Sequence, residues 1–282
     1  MQKLTGTGKM AGNVPKQMSL GDHLDELRMI LIKMAVVTVA CGTAAFWGKE
    51  WLFGLVLAPI GRDFIAYRLL QSVSGVFSGD RMSISDVPLV NTGLAEQFMT
   101  HMRLSFWVGV ICAFPYILYQ LFRFVSPALY GNERKYAFKL TCWGYIMFMA
   151  GAALGYFLVF PLVFRFLGGY QVSEEVHNMI TLQSYISTLL SLSFSMGVIF
   201  EMPVLSWILA KAGFLTASLM QRYRRHALIA ILLAAAVVTP TSDIFTLILV
   251  SFPMWLLFEL SVMIVRGGQG GSHRLESEGQ PA

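Results

Sequence analysis

The chain has 282 residues, 56% of them hydrophobic and only 13% charged, whereas a soluble domain carries roughly 25% charged residues; too few charges are present to clothe a water-soluble globule. The formal net charge of +5 and pI near 9.2 do not point to nucleic acid, because the basic residues fall in short clusters between apolar runs rather than on one face. The reading is an all-α polytopic membrane protein, with lipid as a partner over much of its surface and room for about six spans of about 20 residues each.

Residues 1–22 are polar, with Lys3, Lys9, Lys16 and several Gly. They lack the apolar core of a cleavable signal, so they read as a flexible cytoplasmic N-terminus, and the first hydrophobic helix is expected to stay in the mature protein. Six apolar runs follow, Met29–Trp47, Leu104–Phe122, Leu140–Phe164, Leu182–Leu209, Ala227–Thr239 and Ile244–Val265, within one membrane domain over 23–266. The fifth is too short to span comfortably. With Pro240, Thr241 and Ser242 it forms a tight hairpin into the sixth, so the bilayer thins there or a neighbouring helix shields its ends. Between the first two runs, the stretch from Lys49 to Arg103 mixes Trp51, Phe53, Leu55 and Leu57 with Arg62, Asp63 and Arg68, and is expected to form short helices against the outer face. Inside it, Ser72 to Asp86 reads as a flexible loop. Residues 267–282, rich in Gly, Ser and Glu, read as a disordered cytoplasmic tail. Cys41, Cys112 and Cys142 each lie in an apolar run without pairing or C-x-x-C spacing, and are read as small buried apolar residues rather than disulfides or metal ligands.

Orientation follows from the connections, because Lys and Arg are retained on the cytoplasmic side during insertion. With the N-terminus inside, fifteen of the 21 Lys and Arg lie on that side; the inside segments then carry +9 and the outside ones −2, and Glu201 and Glu259 within helices bring the total to +5. Both termini are therefore expected in the cytoplasm. No repeat is visible, so the inverted-repeat signature of many transporters is missing.

Two motifs stand at the cytoplasmic ends of spans. In His23-Leu24-Asp25-Glu26-Leu27-Arg28, Leu20, Leu24, Leu27 and Leu31 keep helical spacing on one face, so the charged residues ring an amphipathic lead-in at the membrane surface. Taken alone, this is a solvated first turn whose acids meet the positive end of the helix dipole. In Ser126-Pro127-Ala128-Leu129-Tyr130-Gly131-Asn132-Glu133-Arg134-Lys135, Pro127 and Gly131 impose a turn and hold Glu133 on the same face as Glu26. The plain reading pairs Glu133 with Arg134 or Lys135. Against it stand two carboxylates on an otherwise strongly basic surface.

These stretches, together with Phe114-Pro-Tyr-Ile-Leu-Tyr-Gln120, Phe124-Val-Ser-Pro-Ala-Leu-Tyr-Gly-Asn-Glu-Arg134, Phe200-Glu-Met-Pro203, Thr239-Pro-Thr-Ser-Asp243 and Pro253 through Phe258-Glu259, resemble the TatC family, the multi-spanning receptors of the twin-arginine protein translocase. They occur in family order from about Leu20 to Val265. The resemblance implies a concave bundle in a bacterial inner membrane, no cofactor, and transport driven by the protonmotive force. It further implies TatA- and TatB-like single-span partners and further copies of the chain itself. Under it, Glu26 and Glu133 receive the consecutive arginines of a signal peptide, with Arg28 and Phe124 in the same patch. A guanidinium engages a carboxylate through two parallel bonds, which an ammonium cannot do.

Glu201 falls within the fourth run, where a bare carboxylate is costly. It reads either as a protonated acid hydrogen-bonded to a neighbouring helix, with Pro203 loosening the backbone beside it, or, as the resemblance favours, as a polar point in a groove for an inserted helix. Asp243 reads as a helix N-cap, and the resemblance makes its hairpin a docking site for single-span partners. Pro59, Glu96, Gln120 and Glu259 also match family positions; Pro59 has the plain role of ending the first helix, and Glu96 that of pairing with Arg103. No His-Glu-x-x-His, Gly-x-Ser-x-Gly or Gly-x-x-x-x-Gly-Lys-Ser/Thr motif supports an enzyme. The competing class is a proton- or ion-coupled small-solute transporter that uses Glu201 and Glu259 as intramembrane coupling sites.

Overall fold

The computed structural model describes the backbone of residues 20–61, 64, 89–129, 134–170, 173, 178–239 and 243–278, with side chains over 24–61, 64, 89–124, 138–170, 173, 178–239 and 243–267. Among the described residues ten α-helices carry the fold: α1 (Leu20–Trp47), α2 (Lys49–Leu57), α3 (Glu96–Leu129), α4 (Arg134–Leu154), α5 (Phe160–Gly169), α6 (Leu182–Ile199), α7 (Met202–Lys211), α8 (Ala217–Arg222), α9 (Arg224–Val238) and α10 (Ile244–Glu278). A π-turn over Gly155–Val159 joins α4 to α5 as one rod. Phe200 and Glu201 break α6 from α7, just before Pro203. Two-residue strands, Leu89–Val90 and Ile180–Thr181, pair in parallel beside the starts of α3 and α6.

Among the described residues, five stretches are long and apolar enough to cross a membrane: Leu24–Trp47, Glu96–Phe124, Phe138–Gly169, Leu182–Lys211 and Ile244–Gly267. The 15-residue α9 adds the short fifth crossing, which brings the total to six; at 1.5 Å per residue it reaches about 22 Å against a hydrocarbon layer of about 30 Å. The chain is an all-α polytopic membrane protein, and six alternating crossings leave the start of α1 and the end of α10 at one end of the bundle.

Glycine sets the helix crossings. At the antiparallel contact of α1 with α3, a Cβ on Gly109 would stand 2.6 Å from the Cα of Gly42 and 3.0 Å from the Thr38 carbonyl. Phe46 stacks on His101 one level outward, with ring centroids 4.2 Å apart. The antiparallel contact of α4 with α6 repeats the device. A Cβ on Gly151 would meet the Met196 carbonyl at 2.5 Å, one on Gly155 the Ser193 Cα at 2.7 Å, and one on Gly197 the Phe148 ring at 2.7 Å. Helices in lipid gain little from hiding apolar surface from each other, so close backbone approach through small residues is what holds them.

The outer end is closed by α2, as the composition of its segment predicts. Tyr156 and Tyr185 donate hydrogen bonds to the Leu55 and Val56 carbonyls at 2.6 and 3.0 Å, satisfying acceptors that a short helix leaves open at its C-terminus. Pro59 is buried in a 3₁₀ turn after α2, so it ends this second helix; the first already stops at Trp47.

Further differences from expectation have physical causes. The Leu24–Leu31 segment is no separate surface lead-in but the first turns of α1 itself. Leu24 and Leu31 are exposed, because in a membrane the apolar face of such a helix meets lipid. The same reason places Cys112 and Cys142 on exposed faces rather than in the core, with Cys41 half-buried. The last helix continues to Glu278. The expected loop over 72–86 lies outside the described residues.

Gly109→Val should lower thermal stability in detergent by overpacking, a cost of about 1–3 kcal/mol, whereas Gly54→Ala, whose Cβ has nothing within 4 Å, should raise it slightly. Melting curves of the two purified variants check this; a neutral Gly109→Val would mean that α1 and α3 are not held at this crossing.

Candidate functional site

The candidate site occupies the bundle end that holds the start of α1 and the end of α3. The antiparallel register set by Phe46 with His101 and Gly42 with Gly109, extended along both helices, brings Glu26 level with the last turns of α3, where Arg123 and Phe124 lie. Glu26 and Arg28 are exposed and Phe124 is half-buried. Glu26 makes no hydrogen bond or ion pair with any described residue, although Arg28, Lys33 and Arg123 are exposed near the same end. It is a carboxylate displayed to water with its acceptor capacity unspent. Glu133 lies outside the described residues.

Glu201 is the second feature. It is 4% exposed, and neither carboxyl oxygen has a hydrogen-bond partner. A Cβ built on Gly144 of α4 would stand 3.0 Å from one of its oxygens and 3.1 Å from Leu118 of α3, so the carboxyl is lodged where a glycine leaves room. Leu118 belongs to an apolar cluster with Phe114, Phe122, Phe148 and Ile208. The expectation of an acid hydrogen-bonded to a neighbouring helix is therefore corrected: glycine and leucine supply no side-chain donor. Nor is Glu201 an open point on a groove wall. Any group that engages it has to part the helices that cover it.

The remaining site residues have defined local roles. Glu96 does not pair with Arg103. Its carboxylate accepts from the backbone N–H groups of Thr92 and Gly93, both at 2.9 Å, from the Thr92 hydroxyl at 3.2 Å and from the Gln183 N–H at 3.3 Å. It thereby ties the entry of α3 to the start of α6, while Arg103 donates to Ser187 at 2.7 Å. Asp243 caps α10 as expected, accepting from the Thr246 N–H at 2.7 Å. Gln120 is buried and donates to the Tyr116 hydroxyl at 2.6 Å. Glu259 is not an isolated intramembrane acid: Arg224 at the start of α9 donates to it at 2.6 Å. That ion pair removes one of the two coupling carboxylates that the transporter reading needs. Among the described residues no His, Cys, Asp and Glu group has the geometry to hold a metal ion.

Sequence reasoning missed the glycine face. Gly144, Gly151 and Gly155 recur at helical spacing in the third span, a small-residue stripe of the kind that marks close helix contact in membranes. It also missed Tyr156 and Tyr185, whose hydroxyls carry no sequence signal of what they will bind.

The Sec-independent protein translocase protein (TatC) family matches residues 22–253. The chain belongs to the TatC family. A TatC from Koribacter versatilis is 31% identical over 267 residues, covering 95% of this chain and 92% of its own length. One from Deinococcus radiodurans is 36% identical over 248 residues, 88% and 85% of the two chains. The crystal structure of a twin-arginine translocase receptor TatC superposes with a TM-score of 0.69 at 30% identity, covering 86% of this chain and 98% of that one. A second, in the detergent DDM, gives 0.71 at 29% identity with the same coverage. The chain is thus a component of a Sec-independent protein translocase, and its six-crossing bundle is the family's.

Glu96→Ala should loosen the outer end by leaving three backbone donors unpaired, and combining it with Arg103→Ala should be additive because the two side chains share no partner. A double-mutant cycle on melting temperature checks this; strong coupling would restore the Glu96–Arg103 pair. Glu201→Met should hold or raise detergent stability, since it removes an unpaired buried polar group worth about 1–3 kcal/mol; a clear fall would mean that the carboxyl has a partner.

Proposed function

We propose that the chain is the receptor core of a twin-arginine export system in a bacterial inner membrane, with both termini cytoplasmic. It binds the Arg-Arg signal peptides of folded proteins at its cytoplasmic face and assembles with single-span TatA- and TatB-like partners and further copies of itself. Translocation draws on the protonmotive force. The observation that carries the reading is Glu26, an exposed carboxylate without a partner among the described residues, presented beside the end of α3 on a basic surface. In such surroundings an acid is ordinarily neutralised by a neighbour. One left open is available to a planar guanidinium that arrives with its own fork of donors.

Glu133, four residues past the end of α3, supplies the second carboxylate, so that two consecutive arginines each find one. Arg28 and Phe124 flank them, Arg28 setting the charge of the patch and Phe124 offering an apolar and aromatic face. Glu201 serves the next stage: an inserted signal peptide or partner helix that carries a hydrogen-bond donor gives the orphaned carboxyl what the resting bundle withholds. The Asp243 hairpin and the exposed apolar face of α9, including Ile229, Leu233 and Val237, receive the single-span partners.

Glu26→Gln combined with Glu133→Gln should abolish site-specific crosslinking of a twin-arginine signal peptide while membrane insertion of the chain is unchanged; unaltered crosslinking would remove both residues from the site. Co-purification with an Arg-Arg signal fusion, compared with its Lys-Lys version, tests the specificity. Equal recovery of the two would remove the receptor reading.

A further inference from the structure

A second cationic surface lies at the same end of the bundle, built by α7, α8, α9 and α10. Between Met202 and Ser242 the chain has no Asp or Glu. The stretch holds Lys211, Arg222, Arg224, Arg225 and His226, all exposed, and Arg266 on α10 is exposed as well. Among the described residues one acid answers them, Glu259, and it is taken by Arg224.

The backbone that displays these cations is fixed. α7 ends in a glycine turn: Gly213, at φ +79°, donates to the Ala210 carbonyl at 3.1 Å and Phe214 to the Leu209 carbonyl at 3.0 Å, the paired bonds of a left-handed helix stop. Thr216 then caps α8 by accepting from the Leu219 N–H at 3.3 Å. Ala217 and Met220 are buried against Val262 and Val265 of α10. Turned away from that contact, Phe214, Leu219 and Tyr223 are exposed among the cations. Apolar and aromatic side chains interleaved with Lys and Arg at a helix end are what the headgroup layer accommodates, rings at the interface and cations at the phosphates. The short α9 adds to this. Its length of about 22 Å draws the headgroups inward toward Arg222 and Arg225.

We propose that this collar is a binding surface for the headgroups of anionic phospholipids in the leaflet it occupies, with Arg222 and Arg225 on the phosphates and Phe214 and Tyr223 anchored beside them. The charge selects the occupant: an unanswered cationic cluster next to lipid-exposed apolar surface favours a ligand that brings negative charge and acyl chains together. Arg224 is left out, because its guanidinium is held by Glu259. This surface is distinct from the Glu26 patch and does not depend on the receptor reading.

The test is native mass spectrometry of the full-length chain in detergent, titrated with phosphatidylglycerol or phosphatidylcholine. The wild-type chain should bind phosphatidylglycerol preferentially. Arg222→Gln with Arg225→Gln should weaken that binding about thirtyfold, at roughly 1 kcal/mol for each interfacial cation, and leave phosphatidylcholine unchanged. Lys49→Gln, at the opposite end of the bundle, should leave both unchanged. Equal binding of the two lipids by the wild type, or an undiminished preference in the double variant, would overturn the proposal. So would an acidic soluble peptide that binds the collar and is not displaced by phosphatidylglycerol, which would give the surface to a protein partner.

Discussion

A helix surrounded by hydrocarbon has already satisfied its backbone and has little apolar surface to gain by leaving lipid for another helix, so what holds this bundle is how closely its backbones approach. Two glycine crossings supply that approach, Gly42 with Gly109 and the run Gly151, Gly155 and Gly197. Each fixes an antiparallel pair in register, and register is what carries position from the middle of the membrane to its edge. Glu26 stands beside the last turns of α3 because Thr38 and Gly42 meet Gly109 far above it. The display of a charged side chain in water is thus set by contacts among groups that carry no charge.

The same packing accounts for Glu201. The α4–α6 crossing that Gly151 and Gly197 tighten continues to Gly144, and the space left there by a missing side chain is where the carboxyl lies. A larger residue at 144 would exclude it, and a donor there would satisfy it. Glycine does neither, so the acid is buried and unspent. Unpaired buried polar groups are destabilising, and their persistence at the break between α6 and α7 is intelligible if the group is engaged in another state of the protein. The outer end is built to the opposite rule: Glu96, Tyr156 and Tyr185 are each bonded to backbone groups, and that end is held shut.

How much of this could be read from the residues depends on the kind of signal. Span positions were legible because hydrophobicity over some 20 residues is a bulk property, and the short fifth span was legible for the same reason. Caps such as Asp243 were legible because the chemistry is local. Glu96 was misread: its partners, the N–H groups of Thr92, Gly93 and Gln183, are backbone atoms that every residue possesses, so a complementary charge at Arg103 looked the better match. Glu259 was read as a coupling acid because Arg224 lies 35 residues away and only the return of α10 past the start of α9 brings them together. That Glu26 and Phe124 share a patch is an expectation from resemblance to a family; the geometry adds a register, fixed by glycines that composition alone treats as loop formers, which brings Glu26 level with the turn of α3 that holds Phe124.

At one end of the bundle the collar presents cations without an acid of its own while the neighbouring patch presents Glu26 among cations, and this bears on how an arginine-rich segment would find its place. A cationic tag near the membrane is repelled by Lys211, Arg222 and Arg225 unless something negative covers them, and over the Debye length of about 8 Å at physiological salt that repulsion reaches neighbouring groups. Anionic headgroups seated on the collar would neutralise it while leaving Glu26 exposed. Water-facing carboxylates would then be the strongest remaining attraction for a guanidinium at that end. Lipid recognition and arginine recognition would in that case be parts of one electrostatic arrangement, in which the headgroups mask the cations and the protein keeps its acids for the incoming chain.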